Sequence, residues 1–146
     1  MSARSKAGKE RRKKADRLYQ RTRMLDIDHR IVRNLRYNIR KHLNEMGNFK
    51  PFPNVIELTG CSIDDLKDYL QCQFYDANFC SMNWNNYGKH GWHIDHIQPM
   101  SSFDLNDEDE LRTACHFSNL QPLWSVDNKE KGDSLTWVHP EDRVPF

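Results

Sequence analysis

The chain has 146 residues, 37% of them hydrophobic and 29% charged, enough for one modest domain or a small domain with an extension. No apolar run is long enough to span a membrane, and no apolar stretch follows the basic N-terminus as a secretory signal would require, so a cytoplasmic protein with no membrane partner is expected. The net charge of +1 hides a division: residues 1–50 carry +11, from 16 basic and 5 acidic side chains, whereas residues 51–146 carry −10, from 6 basic and 16 acidic. Such asymmetry points to a nucleic-acid-binding segment joined to something else.

Residues 1–23 contain Arg11, Arg12, Lys13 and Lys14, followed by Arg17, Arg21 and Arg23, with few apolar residues among them. Alone they cannot bury enough surface to offset their ordering entropy, so they read as a flexible basic arm or a frayed helix. Residues 24–90 read as a helical DNA-binding and scaffold region. Within it, Ile27, Ile31, Leu35, Ile39 and Leu43 recur every fourth position and predict a helix over 26–45, capped by Asp26 or Asp28. Arg30, Arg33, Arg36 and Arg40 recur on another face, where arginine suits bidentate phosphate contacts. Gly47 and the Pro51/Pro53 pair end that helix. A second helix is predicted over 62–74 from the stripe Ile63, Leu66, Leu70 and Phe74, with Ser62 and Asp65 as a capping box. Its acidic face, Asp64, Asp65 and Asp68, keeps it away from DNA, so it reads as scaffold. Residues 75–91 read as loop.

From residue 91 to 146 the period shortens. Trp92–Ile97 reads as a strand stopped by Pro99, and Leu120–Trp124 as a second strand. The connection between them holds the acidic run 107–110, read as a helix start. Ser125 is expected to cap a helix that runs to about Lys131 and stops at Gly132. The order is therefore strand, loop, strand, helix, and the fold class is α+β. Cys61, Cys72, Cys80 and Cys115 form no Cys-x-x-Cys pair, so they read as small buried apolar residues rather than zinc ligands.

Residues 92–128 carry the chemistry. His96 has the side-chain type of a general base near neutral pH. Asp95 beside it is a hard oxygen ligand suited to Mg²⁺, and Asn128 offers an amide oxygen of the same kind. Phosphodiester hydrolysis needs such a base together with a cation for the developing charge. Neighbouring residues in a regular strand point to opposite faces, so Asp95 and His96 can serve one phosphate only if the strand ends or bends there. His93, which shares the face of Asp95, is an auxiliary candidate. His116 reads as structural. Lys129 and Lys131 flank Asn128 and are candidates for phosphate contact.

Asp95-His96-Ile97-x-Pro99, Asn119-Leu120-Gln121-x-Leu123, and Asn128 nine residues after Asn119 resemble the HNH (His-Me finger, ββα-metal) endonucleases. The likeness is greatest to a group common in phages and large DNA viruses, through Gly60–Lys67, Trp92–Pro99, Ser101–Leu105, Asn119–Trp124 and Asn128–Asp133. It covers about residues 30–135. The resemblance implies a ββα-metal nuclease module over 91–146, preceded by the basic helical region. It implies His96 as general base, Asp95 and Asn128 as metal ligands, and Asn119 as the residue that holds the loop carrying the base. Asp127 stands as second choice to Asn128. Mg²⁺ is the implied cofactor, with Mn²⁺ or another divalent ion able to substitute, and no structural zinc is expected. Double-stranded DNA is the implied partner, and a homodimer or a larger phage complex is compatible with the likeness. The setting would be the host cytoplasm if the protein is viral. Two other readings stay open: a DNA-binding or architectural protein with a dormant module, and a nuclease directed at RNA.

Overall fold

The computed structural model of the chain describes residues 3–77 and 79–145, with side chains from 5–22 and from 26 onward. Met1, Ser2 and the side chain of Arg23, all counted in the expected arm, lie outside that description. Among the described residues the protein is α+β, with six α-helices and a two-stranded antiparallel sheet. The chain divides into two compact units, Met1–Asn38 and Ile39–Phe146. Neither expected boundary, after residue 23 or after residue 90, coincides with that division.

The first unit contains α1 (Ala3–Leu25) and the larger part of α2 (Ile27–Glu45). The arm is thus helical along its described length. Each successive residue turns about 100° round a helix, so the consecutive Arg11, Arg12, Lys13 and Lys14 cover every side of it. No apolar stripe is left to bury, and the described side chains 5–22 are all exposed. In α2 the Asp26 carboxylate accepts the Asp28 N–H at 2.9 Å, as a cap should. The four-residue apolar period is realised as burial: Ile31, Leu35, Ile39 and Leu43 are all buried.

In the second unit a short helix not anticipated from the pattern, α3 (Val55–Thr59), is capped by Asn54 and stopped by Gly60 at φ +75°. The helix α4 (Ile63–Gln71) starts as expected, with Ser62 Oγ accepting the Asp65 N–H at 3.1 Å. It ends three residues before Phe74. That phenyl ring instead joins Trp84 and Trp92, at centroid distances of 5.4 and 5.0 Å. An aromatic cluster outside the helix thus gains the residue that a longer helix would have used.

The sheet is formed by β1 (Trp92–His96) and β2 (Leu120–Trp124), paired Trp92 with Trp124, Ile94 with Pro122, Asp95 with Gln121 and His96 with Leu120. Between them, α5 (Glu108–Cys115) begins at Asp107, whose carboxylate accepts the N–H groups of Asp109 and Glu110. After β2 the chain enters α6 (Ser125–Lys131) without a break. Ser125 is not the cap it was expected to be. It is the first helical residue, and its N–H goes to the Gly91 carbonyl at 2.9 Å, tying the start of α6 to the loop before β1. A side chain at Gly91 would overlap the Asn86 carbonyl, so this junction accepts only glycine. Gly132, at φ +49°, ends α6 as expected.

The core of this unit is built from Val55, Leu58, Leu66, Leu70, Trp92, Met100, Leu105, Leu120 and Leu123. Trp92 and Trp124 are core residues whose indole N–H groups reach the Asn83 and Tyr75 carbonyls at 2.7 and 3.0 Å. Of the cysteines, Cys115 is buried as expected, and burial pushes its thiol up to about 12. Cys72 and Cys80, expected inside, are exposed: one follows the early end of α4 and the other lies in the loop beyond it. No helix among the described residues is long and apolar enough to cross a membrane.

Candidate active site

The helix α6 packs against the hairpin and presents Asn128 and Lys131, one turn apart, to it. They meet the face of β1 that carries His93 and Asp95, two residues apart along the strand. Asn128 Nδ2 lies 3.3 Å from His93 Nδ1. Lys131 Nζ lies 3.2 Å from Asp95 Oδ2 and donates to the His96 carbonyl at 2.9 Å. Gln121, opposite Asp95 on β2, donates from Nε2 to the same Oδ2 at 3.0 Å. Two donors therefore converge on one carboxylate oxygen, and Oδ1 takes part in neither bond. Burial pushes the Asp95 carboxyl above its ordinary range, and the Gln121 and Lys131 contacts oppose that shift.

Lys131 was expected to reach phosphate. It is instead among the most buried polar residues of the described chain, with 3% of its side chain exposed. The salt bridge and the bond to the strand backbone occupy its ammonium. Lys129, the other flanking lysine, is exposed and borders a smaller recess with His90 and Ser125. Helical geometry separates the two: Lys131 falls on the stripe shared with Asn128, and Lys129 does not.

The strand does not break regularity between Asp95 and His96. Pairing continues through His96 with Leu120, and the Ile97 N–H still bonds the Asn119 carbonyl at 2.8 Å. Asp95 and His96 therefore leave β1 on opposite sides, and the strand ends at His96 instead of bending between 95 and 96. Among the described residues nothing hydrogen-bonds the His96 imidazole. Burial, with the nearby His42 and Lys131 charges, lowers its pKa to about 4, so it is neutral at neutral pH.

Asn119 joins the chain beyond β1 to α5 through its amide. Its Oδ1 accepts the Gln98 N–H at 2.9 Å, and its Nδ2 donates to the Gln98 and Ala114 carbonyls at 3.1 and 2.9 Å. It thereby clamps the chain just beyond His96 to the end of α5. Asp127, the second choice for a ligand, is turned away from the Asp95 face. It is buried, and its Oδ2 accepts the Tyr75 hydroxyl at 2.7 Å, while the Tyr75 oxygen accepts the Trp124 N–H. Burial and the Asp127 carboxylate together push the Tyr75 phenol well up. His116 is structural, bonded to Ser118 and stacked on Phe117.

Of the cationic residues on the first helices, Arg11, Arg12, Lys13, Lys14, Arg33 and Arg36 are exposed, and Arg30 is half-buried. Arg40 is used internally: it donates to the Lys50 carbonyl at 2.8 Å and stacks over Phe52. It closes the end of α2 rather than extending the exposed row of Arg33 and Arg36. A cleft of about 910 Å³ lies on the Gln121 and Lys131 side, bordered by Asp76, Glu141 and Asp142. The three carboxylates give this cleft a negative edge.

Gln121 and Tyr75 were not picked out from the pattern. The signal for Gln121 was its polarity inside Leu-x-Pro-Leu-Trp, a strand buried at all five positions. A buried amide must bond to something. Among the described residues no group of three or more His, Cys, Asp or Glu side chains is placed to hold a metal ion. The donors that gather here are one carboxylate and one amide.

No family model matches the chain, and no solved structure matches it. Two curated proteins of Acanthamoeba polyphaga mimivirus are similar to it. "Uncharacterized protein L426" is 32% identical over 110 residues, which cover 75% of this chain and 45% of that protein. "Uncharacterized protein L246" is 34% identical over 98 residues, which cover 67% and 39%. The chain thus spans less than half the length of either curated relative.

Proposed function

We propose that the chain is a metal-dependent endonuclease of the HNH type that hydrolyses DNA phosphodiester bonds. The observation that carries this reading is the meeting of α6 with the Asp95 face of β1, one residue before a neutral His96. Asp95 and Asn128 are hard oxygen donors, few enough to leave most positions of a Mg²⁺ or Mn²⁺ ion to water and phosphate. A carboxylate and an amide oxygen are the donor types that fit such an ion; a bound cation would supply charge neutralisation to the phosphate and its leaving oxygen.

The residues themselves supply the remainder. His96 takes the proton of the attacking water. Asn119 holds the chain beyond His96, and Lys131 fixes the Asp95 carboxylate relative to the His96 backbone. Because Asp95 and His96 leave the strand on opposite sides, the scissile phosphate belongs at the end of β1, where the chain leaves the sheet beyond residue 97, rather than across the sheet face. One such site cuts one strand, and cleavage leaves 5′-phosphates. The cationic residues of α1 and α2 hold the DNA backbone without reading its sequence.

The salt bridge from Lys131 favours a second reading, since a fixed cation already compensates Asp95: a DNA-binding protein whose module is dormant. Nicking of supercoiled plasmid separates the two. Nicking that requires Mg²⁺ or Mn²⁺ and is lost in Asp95→Asn and His96→Ala supports the nuclease. Binding without nicking under any divalent ion overturns it.

A further inference from the structure

We propose that His93 is a positioning residue that orients the Asn128 amide so that its carbonyl oxygen, not its NH₂, is presented to the cation; this rests on the nuclease reading above. Each atom has only one role open to it. His93 Nε2 lies 3.2 Å from the Lys89 carbonyl oxygen. A carbonyl only accepts, so Nε2 carries the proton. In the neutral ring Nδ1 is then an acceptor. The atom of Asn128 that approaches Nδ1, at 3.3 Å, must therefore be a donor, which is Nδ2. The amide has one carbonyl oxygen, and Oδ1 is left on its other side. The orientation follows from the Lys89 carbonyl, whichever way the amide might otherwise turn.

Asp95 is likewise fixed by its neighbours, with Gln121 and Lys131 both meeting Oδ2. An asparagine without His93 could turn over and present NH₂, a group that repels a cation. His93 shares the face of Asp95, which invites its reading as a third ligand. Both of its nitrogens, however, are engaged with protein groups. Outer residues that fix ligand orientation change metal affinity by about 10- to 100-fold when removed.

The test uses the full chain, ¹⁵N-labelled, with long-range ¹H–¹⁵N correlations of the His93 ring, and calorimetric titration with Mn²⁺. The ring is expected as the Nε2–H tautomer, and its nitrogen shifts are expected to stay in place on adding Mg²⁺. His93→Ala is expected to weaken Mn²⁺ binding about tenfold or more, and His93→Asn, which keeps an acceptor near the Nδ1 position, to restore part of it. A protonated Nδ1, nitrogen shifts that move as a metal ligand's would, or unchanged Mn²⁺ affinity in His93→Ala overturns the proposal while the nuclease reading stands. If the unaltered protein binds no Mn²⁺, or Asp95→Asn binds it equally, the metal site itself fails and the proposal falls with it. Should His93→Ala not fold, the tautomer and the Mg²⁺ response of the unaltered protein still decide.

Discussion

Residues 1–38 and 39–146 use their charges in opposite ways. In the first unit, the cations of α1 lie on the surface in a helix that buries nothing along its described side chains. In the second, the decisive cation is Lys131, almost wholly buried and bonded to Asp95 and to the strand. Lysines of like chemistry thus serve two ends. A surface cation acts through long-range, salt-screened attraction and tolerates exchange. A buried one acts through fixed geometry and tolerates none, because its loss leaves an uncompensated carboxylate.

Deleting one charge from each unit should give the widest contrast. Lys131→Met strands Asp95 beside Gln121 and removes the donor to the His96 carbonyl, so urea unfolding should show a loss of about 3–5 kcal/mol. Lys13→Met in α1 should leave stability unchanged within about 0.5 kcal/mol. A small loss from Lys131→Met would mean that the buried bridge is not a structural centre.

The next effect separates holding from cutting. His96→Ala should lower plasmid nicking by roughly 10²-fold or more while gel-shift binding persists. Deleting residues 1–23 should do the reverse. Every phosphate that a cation no longer neutralises takes about 0.9 from the slope of log affinity against log salt, so losing Arg11, Arg12, Lys13 and Lys14 with the other cations of the arm should flatten it by at least about 3–4. Nicking at saturating DNA should remain. If His96→Ala abolishes binding, or the deletion leaves the salt slope intact, the division of labour is wrong.

Tyr75→Phe tests how Asp127 is kept from the site. It leaves a buried carboxylate without its donor, and a stability loss of about 1–3 kcal/mol is expected in denaturant titration. A further effect is a pH dependence. The folded His96 titrates at about 4 and the unfolded one at its ordinary 6.5. Between those values the unfolded chain binds a proton that the folded chain refuses, so stability should fall as pH falls from 6.5 toward 4, with no contribution above. Subtracting the curve of His96→Gln isolates this from Asp95, whose raised value acts in the opposite sense.

Local pattern was enough for much of the fold. The apolar period of α2, the Asp26 and Ser62 caps, both strands and the Gly132 stop are dictated by side chains within a few residues of each other, and all appear where the sequence puts them. Phe74 and Ser125 departed from expectation because a distant partner, the tryptophan cluster or the Gly91 carbonyl, outweighed a local preference.

Which residue types are available for chemistry was already legible in the chain: an Asp beside a His, an Asn nine residues after another, and cations concentrated at one end. How they are used depended on the folded arrangement. Register set Gln121 against Asp95 and kept β1 regular through His96. The phase of α6 turned Lys131 inward, left Lys129 outside, gave Asp127 to Tyr75 and brought Asn128 to His93. A spacing in sequence fixes which residues share a face. It does not fix which face meets which, since that depends on packing between segments far apart in the chain.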